Sequence, residues 1–202
     1  ISAIYRSLVE QGLSVQFSGY QGLQGTSAVS ALLKDGEMVS QAQAGQQVEI
    51  ITAATPFYGE SGGQVGDCGE ITAAGLKVRI SDTRKPLPNL LVHLGTIEAG
   101  TIALGQQVTL RVDAAARQAT ALNHTATHIL HAVLVEVLGD HVKQAGSLVS
   151  AERLRFDFNH FSAVTAEELR RVENEVNRRV RENRAVETHD MEIEEAIAAG
   201  AT

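Results

Sequence analysis

Glycine and proline are confined almost entirely to one part of this chain, and that confinement limits what each part can become. Fifteen of the 18 glycines and all three prolines precede residue 110. Both residue types interrupt helices and punctuate turns, and the first half reads as short strands and tight connections. Only the remainder can carry long helices. Strand patterns fall at 14–17, 28–33, 38–42, 47–52, 76–82, 90–94 and 106–112, and Lys34-Asp35-Gly36-Glu37 carries the Asp-Gly hairpin signal between two of them. Regularly spaced strands with Gly-rich connections favour a small closed barrel or sandwich.

Near residues 112–115 the hydrophobic period changes. Leu122, Ala126, Ile129, Leu130, Val133, Leu134 and Val137 recur at helical spacing, and Gly139 stops the pattern. Two further strand patterns follow at 147–150 and 153–158. Thr165-Ala-Glu-Glu168 then forms a capping box opening a second helix, whose apolar face is Leu169, Val172, Val176 and Val180. This order predicts an α+β chain of two domains, a β-rich barrel or sandwich over 1–112 and an α+β unit over 113–202.

Composition excludes several classes. At 202 residues, 44% hydrophobic and 20% charged, the chain is ordinary globular material. It has no run of 18 apolar residues and no charged-then-apolar leader, so neither a spanning helix nor a signal peptide is expected, nor a membrane partner. One cysteine, Cys68, leaves no internal disulfide and fits a reducing, cytoplasmic setting. The net charge of -7 argues against a polyanion partner at first sight. Five acids, however, sit at 187–195 without a Lys or Arg; removing them leaves 17 cations against 19 acids. Six arginines lie between 170 and 184, so nucleic acid stays open as a partner.

Asn123-His-Thr-Ala-Thr-His-Ile-Leu-His131 is the most informative segment. At about 100° per residue, His124, His128 and His131 fall opposite the apolar stripe. His124 and His128, at i and i+4, project imidazoles from consecutive turns, as one metal ion requires. The same spacing also describes ordinary solvated histidines. A zinc peptidase would need Glu directly after the first His, where Thr125 stands.

Four segments occur in order: Thr55-Pro-Phe-Tyr-Gly-Glu-Ser-Gly-Gly-Gln-Val-Gly-Asp67, Asn123-His-Thr-Ala-Thr-His128, His141-Val-Lys-Gln-Ala-Gly-Ser-Leu-Val149 and Arg155-Phe-Asp-Phe158. Together they resemble the post-transfer editing region of the alanine–tRNA ligase family, from about Phe17 to Thr202. The resemblance implies a translation-factor-like β-barrel followed by an α+β editing domain that hydrolyses Ser-tRNA(Ala) and Gly-tRNA(Ala). It implies His124 and His128 as Zn²⁺ ligands, and Thr127, Gln144 and Ser147 as residues lining the editing pocket. The loop of Glu60, Ser61, Gly62, Gly63 and Gln64, with Phe57 and Tyr58, is similar to the loop that reaches over the editing cleft and meets substrate.

The resemblance also implies what to expect outside these residues. ATP- and Mg²⁺-dependent aminoacylation belongs to an upstream adenylation domain, and oligomerisation to a downstream region. The family completes its zinc site from a C-G-G-x-H element that would follow Thr202. The start at Ile1 and this end predict an internal piece with an incomplete, weakly occupied zinc site. Cys68 stands in the barrel half and reads as a free thiol, and His93, His141, His160 and His189 as structural or exposed. The 170–184 arginines, Arg178 and Arg179 above all, read either as an ion-paired solvated helix or as phosphate contacts to the tRNA(Ala) acceptor arm. The competing function is a tRNA-docking or structural module without catalysis.

Overall fold

The computed structural model describes residues 3–185 and 191–200; His189, Glu187 and Asp190 lie outside the described residues. A short helix α1 (Ala3–Glu10) leads into two-residue strand β1 (Gln16–Phe17) and the long strand β2 (Gln24–Lys34). Asp35 and Gly36, at φ 52° and 80°, turn the chain into β3 (Glu37–Met38), with Lys34 paired to Glu37. Both central residues of that turn need positive φ, which the Asp-Gly pair supplies at low cost. The strands β4 (Gln41–Gln43), β5 (Gln47–Thr52), β6 (Ala54–Thr55), β7 (Gly69–Ala73), β8 (Leu76–Leu87), β9 (Leu90–Ala99), β10 (Thr101–Ala103) and β11 (Gln107–Val112) complete this half.

Hydrogen-bonded neighbours run β11-β7-β8-β9-β5-β2, and β2 pairs back onto β11, so six antiparallel strands close into a barrel with β3 appended. Alternation makes it work. In β8, Leu76, Val78 and Ile80 are buried while Lys77, Arg79 and Ser81 are exposed, the period-2 pattern of a half-buried strand. β5 instead buries both faces. Ile50 enters the inner core with Phe57 and Leu110, while Ile51 joins Leu8, Leu33 and Leu90 under α1.

The structure departs from the strand patterns at several places. The pattern at 38–42 is two elements, since β3 pairs with β2 whereas β4 leaves the barrel to pair with β10. The 90–94 pattern continues to Ala99, because β9 has partners on both sides, β8 and β5. α1, β6, β7 and β10 had no strong pattern; β7 carries one buried apolar residue, Ile71, between polar or small ones.

β11 ends at Val112 and α2 (Ala114–Leu138) begins one residue later. Asp113 is the joint. Its carboxylate accepts from Ala116 N at 3.0 Å and its own N–H donates to Cys68 O at 2.9 Å, the first contact capping the helix. After Gly139 come β12 (Gln144–Val149), β13 (Leu154–Phe158), α3 (Ala166–Glu182) and the short α4 (Ile193–Ala198). Thr165 and Glu168 form a reciprocal capping box at the start of α3. α2, α3 and the β12–β13 hairpin share a small core of Val133, Leu134, Val142 and Val172, flanked by Phe156, Phe158 and Val176.

The apolar stripe of α2 holds only for its C-terminal half. Leu122 is 61% exposed, whereas Thr120 and Thr127 are buried. The reason lies in the packing partners: the second half meets α3 and the hairpin, while the first half meets polar groups of the barrel and β12. Leu169 and Val180 at the ends of α3 are likewise exposed, leaving Val172 as the buried anchor of that helix. Among the described residues no helix is long and apolar enough to cross a membrane.

Candidate functional site

The site is assembled where the barrel meets α2. After β6 the chain passes Phe57, which is fully buried in the inner core and lies edge-on to His93, ring centroids 5.2 Å apart. Phe57 therefore packs the barrel and does not meet a ligand, which corrects its reading as a substrate contact. His93 is structural too. Its Nε2 pairs with Thr55 Oγ1 at 2.8 Å and its Nδ1 with Ile50 O at 2.7 Å, and burial pushes its pKa down to about 4. Tyr58 is half-buried, while Glu60, Ser61 and Gly62 are exposed.

Ser61 and Gln64 exchange backbone hydrogen bonds, 3.1 and 3.0 Å, around Gly62 and Gly63 at φ 59° and 82°. Two consecutive left-handed residues make this a tight hairpin turn that glycine favours. Gly63 has a second reason to lack a side chain. A Cβ there would overlap the Ser147 hydroxyl and stand 2.8 Å from Ser147 O. That close approach lets the turn pair with β12, through Val149 N to Gly63 O at 2.8 Å and Val65 N to Val149 O at 3.0 Å.

Gln64, nearly buried, then reaches α2. Its Oε1 lies 2.6 Å from His124 Nδ1. An amide oxygen only accepts, so Nδ1 carries the proton and Nε2 keeps its lone pair. His124 is half-buried and His128 exposed one turn on; their rings stack at 5.0 Å and 15°. Burial, and secondarily His128, lower the His124 pKa and favour the neutral ring. Gln144 Nε2 donates to Ser147 Oγ at 3.1 Å. The buried Thr127 hydroxyl donates to Asn123 O at 2.8 Å, and Asn123 Nδ2 donates to Ser150 O at 2.8 Å. Gln64, Gly63, Ser147, Gln144, His124 and His128 thus form one connected surface, with Thr127 on the adjoining face of the helix.

Behind this surface lies a contact that the sequence patterns did not signal. Arg117, in the first turns of α2, holds Asp67 through its Nε (2.9 and 3.0 Å) and its terminal nitrogen, and donates to Pro56 O at 3.0 Å. Asp67 also accepts from Tyr58 N at 2.7 Å and is 6% exposed. The pair is 50 residues apart in sequence, and no local spacing links them.

Arg178 and Arg179 lie on α3 and are held in ion pairs. Arg178 pairs with Glu175 and Glu182, and Arg179 with Glu175 and with Glu136 of α2. Of the two readings of this helix, the ion-paired one describes these two residues; Arg170, Arg171 and Arg181 have no ion pair among the described residues. His131 packs on Phe156 of β13, ring centroids 5.1 Å apart. Burial raises the Cys68 thiol above its ordinary value, which leaves it a poor nucleophile.

His124 and His128 offer two imidazole donors one turn apart, with the ring of His124 oriented by Gln64, as metal-bound histidines usually are. That donor set fits two of the four positions of a tetrahedral zinc. Among the described residues no cluster of three or more His, Cys, Asp or Glu is arranged to hold a metal.

Comparison with known proteins shows the family. The family model described as tRNA synthetases class II (A) matches residues 2–116, more than half of the chain. The chain belongs to that family. The match covers α1 and the whole barrel and stops in the first turn of α2. Curated alanine–tRNA ligases extend the similarity over the rest of this synthetase segment. That of Desulfosudis oleivorans is 50% identical over 198 residues, covering 98% of this chain and 23% of that protein. Those of Anaeromyxobacter dehalogenans and Magnetococcus marinus are 48% and 49% identical over 201 and 202 residues. The chain thus spans less than a quarter of the length of these relatives.

Proposed function

We propose that this segment is the editing module of an alanine–tRNA ligase and hydrolyses the ester of Ser-tRNA(Ala) and Gly-tRNA(Ala). One observation carries the reading. The Gly62-Gly63-Gln64 turn joins Ser147 of β12 to His124 of α2, gathering an imidazole pair and a hydroxyl–amide pair on one surface. A synthetic pocket for alanine cannot exclude glycine by size and rejects serine weakly, so a second, hydrolytic site is needed.

In this reading residues 1–112 form the barrel domain and 113–202 the editing domain. Gln144 donates to Ser147 Oγ, which leaves the Gln144 amide oxygen and the Ser147 hydroxyl proton for a substrate hydroxyl. Thr127, whose proton is committed to Asn123 O, retains lone pairs to accept one. A seryl side chain satisfies these groups and an alanyl one leaves them unpaired, which favours hydrolysis of the wrong ester. His124 and His128 would hold Zn²⁺, which would supply Lewis acidity to activate water or a charge to anchor the substrate. The remaining ligands, the ATP- and Mg²⁺-dependent aminoacylation and the oligomer contacts are assigned to other parts of a cytoplasmic ligase.

The test is deacylation of seryl-, glycyl- and alanyl-tRNA(Ala), by this chain and by a form extended through a C-G-G-x-H element. Faster loss of serine than alanine, greatest in the extended form with zinc, is expected. Tight binding of tRNA(Ala) with no hydrolysis by either form overturns the hydrolase in favour of a docking module.

A further inference from the structure

A cleft of about 410 Å³ opens on the barrel beside the 60–64 turn, lined by Phe17, Tyr20, Tyr58, Ser61 and Lys85 among others. Its aromatic rings are fixed rather than loose. Tyr20 stands edge-on to Phe17 at 5.1 Å and 84°, and Phe17 edge-on to Tyr58 at 6.2 Å and 74°. The Tyr58 hydroxyl donates to Ser61 O at 3.2 Å. Yet Tyr20 is 83% exposed, so most of its ring faces solvent. Lys85 is exposed and has no ion pair among the described residues. Oriented, accessible aromatic faces beside an unneutralised cation are the chemistry by which proteins take single-stranded nucleic acid, bases on the rings and phosphate on the cation.

The cleft adjoins the site through a single turn. Ser61 lines the cleft and exchanges backbone hydrogen bonds with Gln64, whose amide touches His124. We propose that this cleft is a stacking site for the unpaired 3′-terminal nucleotides of tRNA, delivering the acylated end across the turn; this rests on the editing reading above. Tyr20 and Tyr58 take the bases and Lys85 a phosphate. Exposed Glu60 beside them makes base stacking, rather than a cluster of phosphate contacts, the principal interaction.

The chain contains no Trp and three Tyr, so stacking can be read directly as tyrosine quenching. A labelled single-stranded RNA ending in the CCA of tRNA is titrated into the full chain, with a blunt RNA duplex as control. The single strand is expected to bind and quench tyrosine emission while the duplex does not quench. Tyr20→Leu is expected to weaken binding about tenfold and to remove the share of the quenching that Tyr20 contributes. Lys85→Glu is expected to weaken binding and lower the salt slope by about one. Both positions are exposed, and circular dichroism verifies the fold. No binding, binding without quenching, or equal affinity in Tyr20→Leu overturns the cleft.

Seryl-tRNA deacylation separates this failure from failure of the editing reading. With both correct, Tyr20→Leu raises KM by more than it lowers kcat. Hydrolysis with KM and RNA affinity unchanged in the variant removes the cleft and leaves the editing site. Quenching as expected, with seryl-tRNA left intact by the extended form with zinc as well, removes the editing site and leaves the cleft.

Discussion

Among the described residues, the barrel encloses 15 buried apolar side chains in its inner core and eight more form the cluster shared with α1, whereas the core of the α2–α3 unit has four. The barrel therefore has the means to fold by itself, while the second unit leans on it. The N-terminal half of α2 buries polar groups against the barrel rather than apolar ones: Arg117 on Asp67, His124 on Gln64, Asn123 on the end of β12. Apolar cores tolerate small shifts, but paired polar groups demand one geometry. A site that must hold imidazoles and hydroxyls in register belongs at the second kind of contact.

That contrast can be broken most directly at Asp67. Asp67→Ala strands a largely buried guanidinium and is expected to cost about 3–5 kcal/mol. The loss should appear as early unfolding of α2 and α3 in denaturant with the barrel retained, followed by hydrogen exchange. A single cooperative transition with unchanged midpoint would show that the pair does not join the two units.

The barrel has its own sensitivity, to acid. His93 is neutral when folded, with a pKa near 4 against an ordinary value of about 6.5. As pH falls below 6.5 the unfolded chain takes up the proton first, so this contribution is complete above 6.5 and lost progressively down to 4. The total is about 3 kcal/mol. His93→Gln should flatten the stability profile between these limits; an equally steep profile in that variant would assign the loss to other groups.

Gly63→Ala sets the turn against β12 through both its positive φ and the Ser147 overlap. A stability loss of about 1–3 kcal/mol is expected, with slower seryl-tRNA hydrolysis. Full activity in that variant would detach the turn from the site. Gln64→Ala should leave the barrel untouched but release the His124 ring. Nitrogen NMR would then show the Nδ1–H tautomer lost, and metal affinity lowered about 10–100-fold. The smallest effect is expected at Arg178 and Arg179, where charge reversal should change the salt slope of tRNA binding little, because both already pair with carboxylates. A clearly flattened slope would restore them as phosphate contacts.

The sequence patterns carried the strand-rich first half, the α2 and α3 helices, the Asp35-Gly36 turn and the capping box, because each rests on local chemistry. They missed what depends on distant partners. β7 is recognisable as a strand only beside β8 and β11. Phe57 looks like a cleft residue until the barrel closes around it. The helical wheel placed Leu122 inside because it assumes one buried face along the whole of α2, and this helix changes neighbours midway. The histidine pair and the Gly-rich turn were legible as motifs. The bond between Gln64 and His124, and the Asp67–Arg117 pair behind them, were not.

Asp113 is the only residue between β11 and α2, and this sets a phase relation between barrel and helix. One residue added to the first turn of α2, just after the joint, would advance the rest of the helix by about 1.5 Å and rotate it by about 100°. His124 would swing away from Gln64, and Arg117 from Asp67, with every element still intact. Barrel and helix are keyed like two gears on one shaft, and a change of length at that joint is expected to unmesh them.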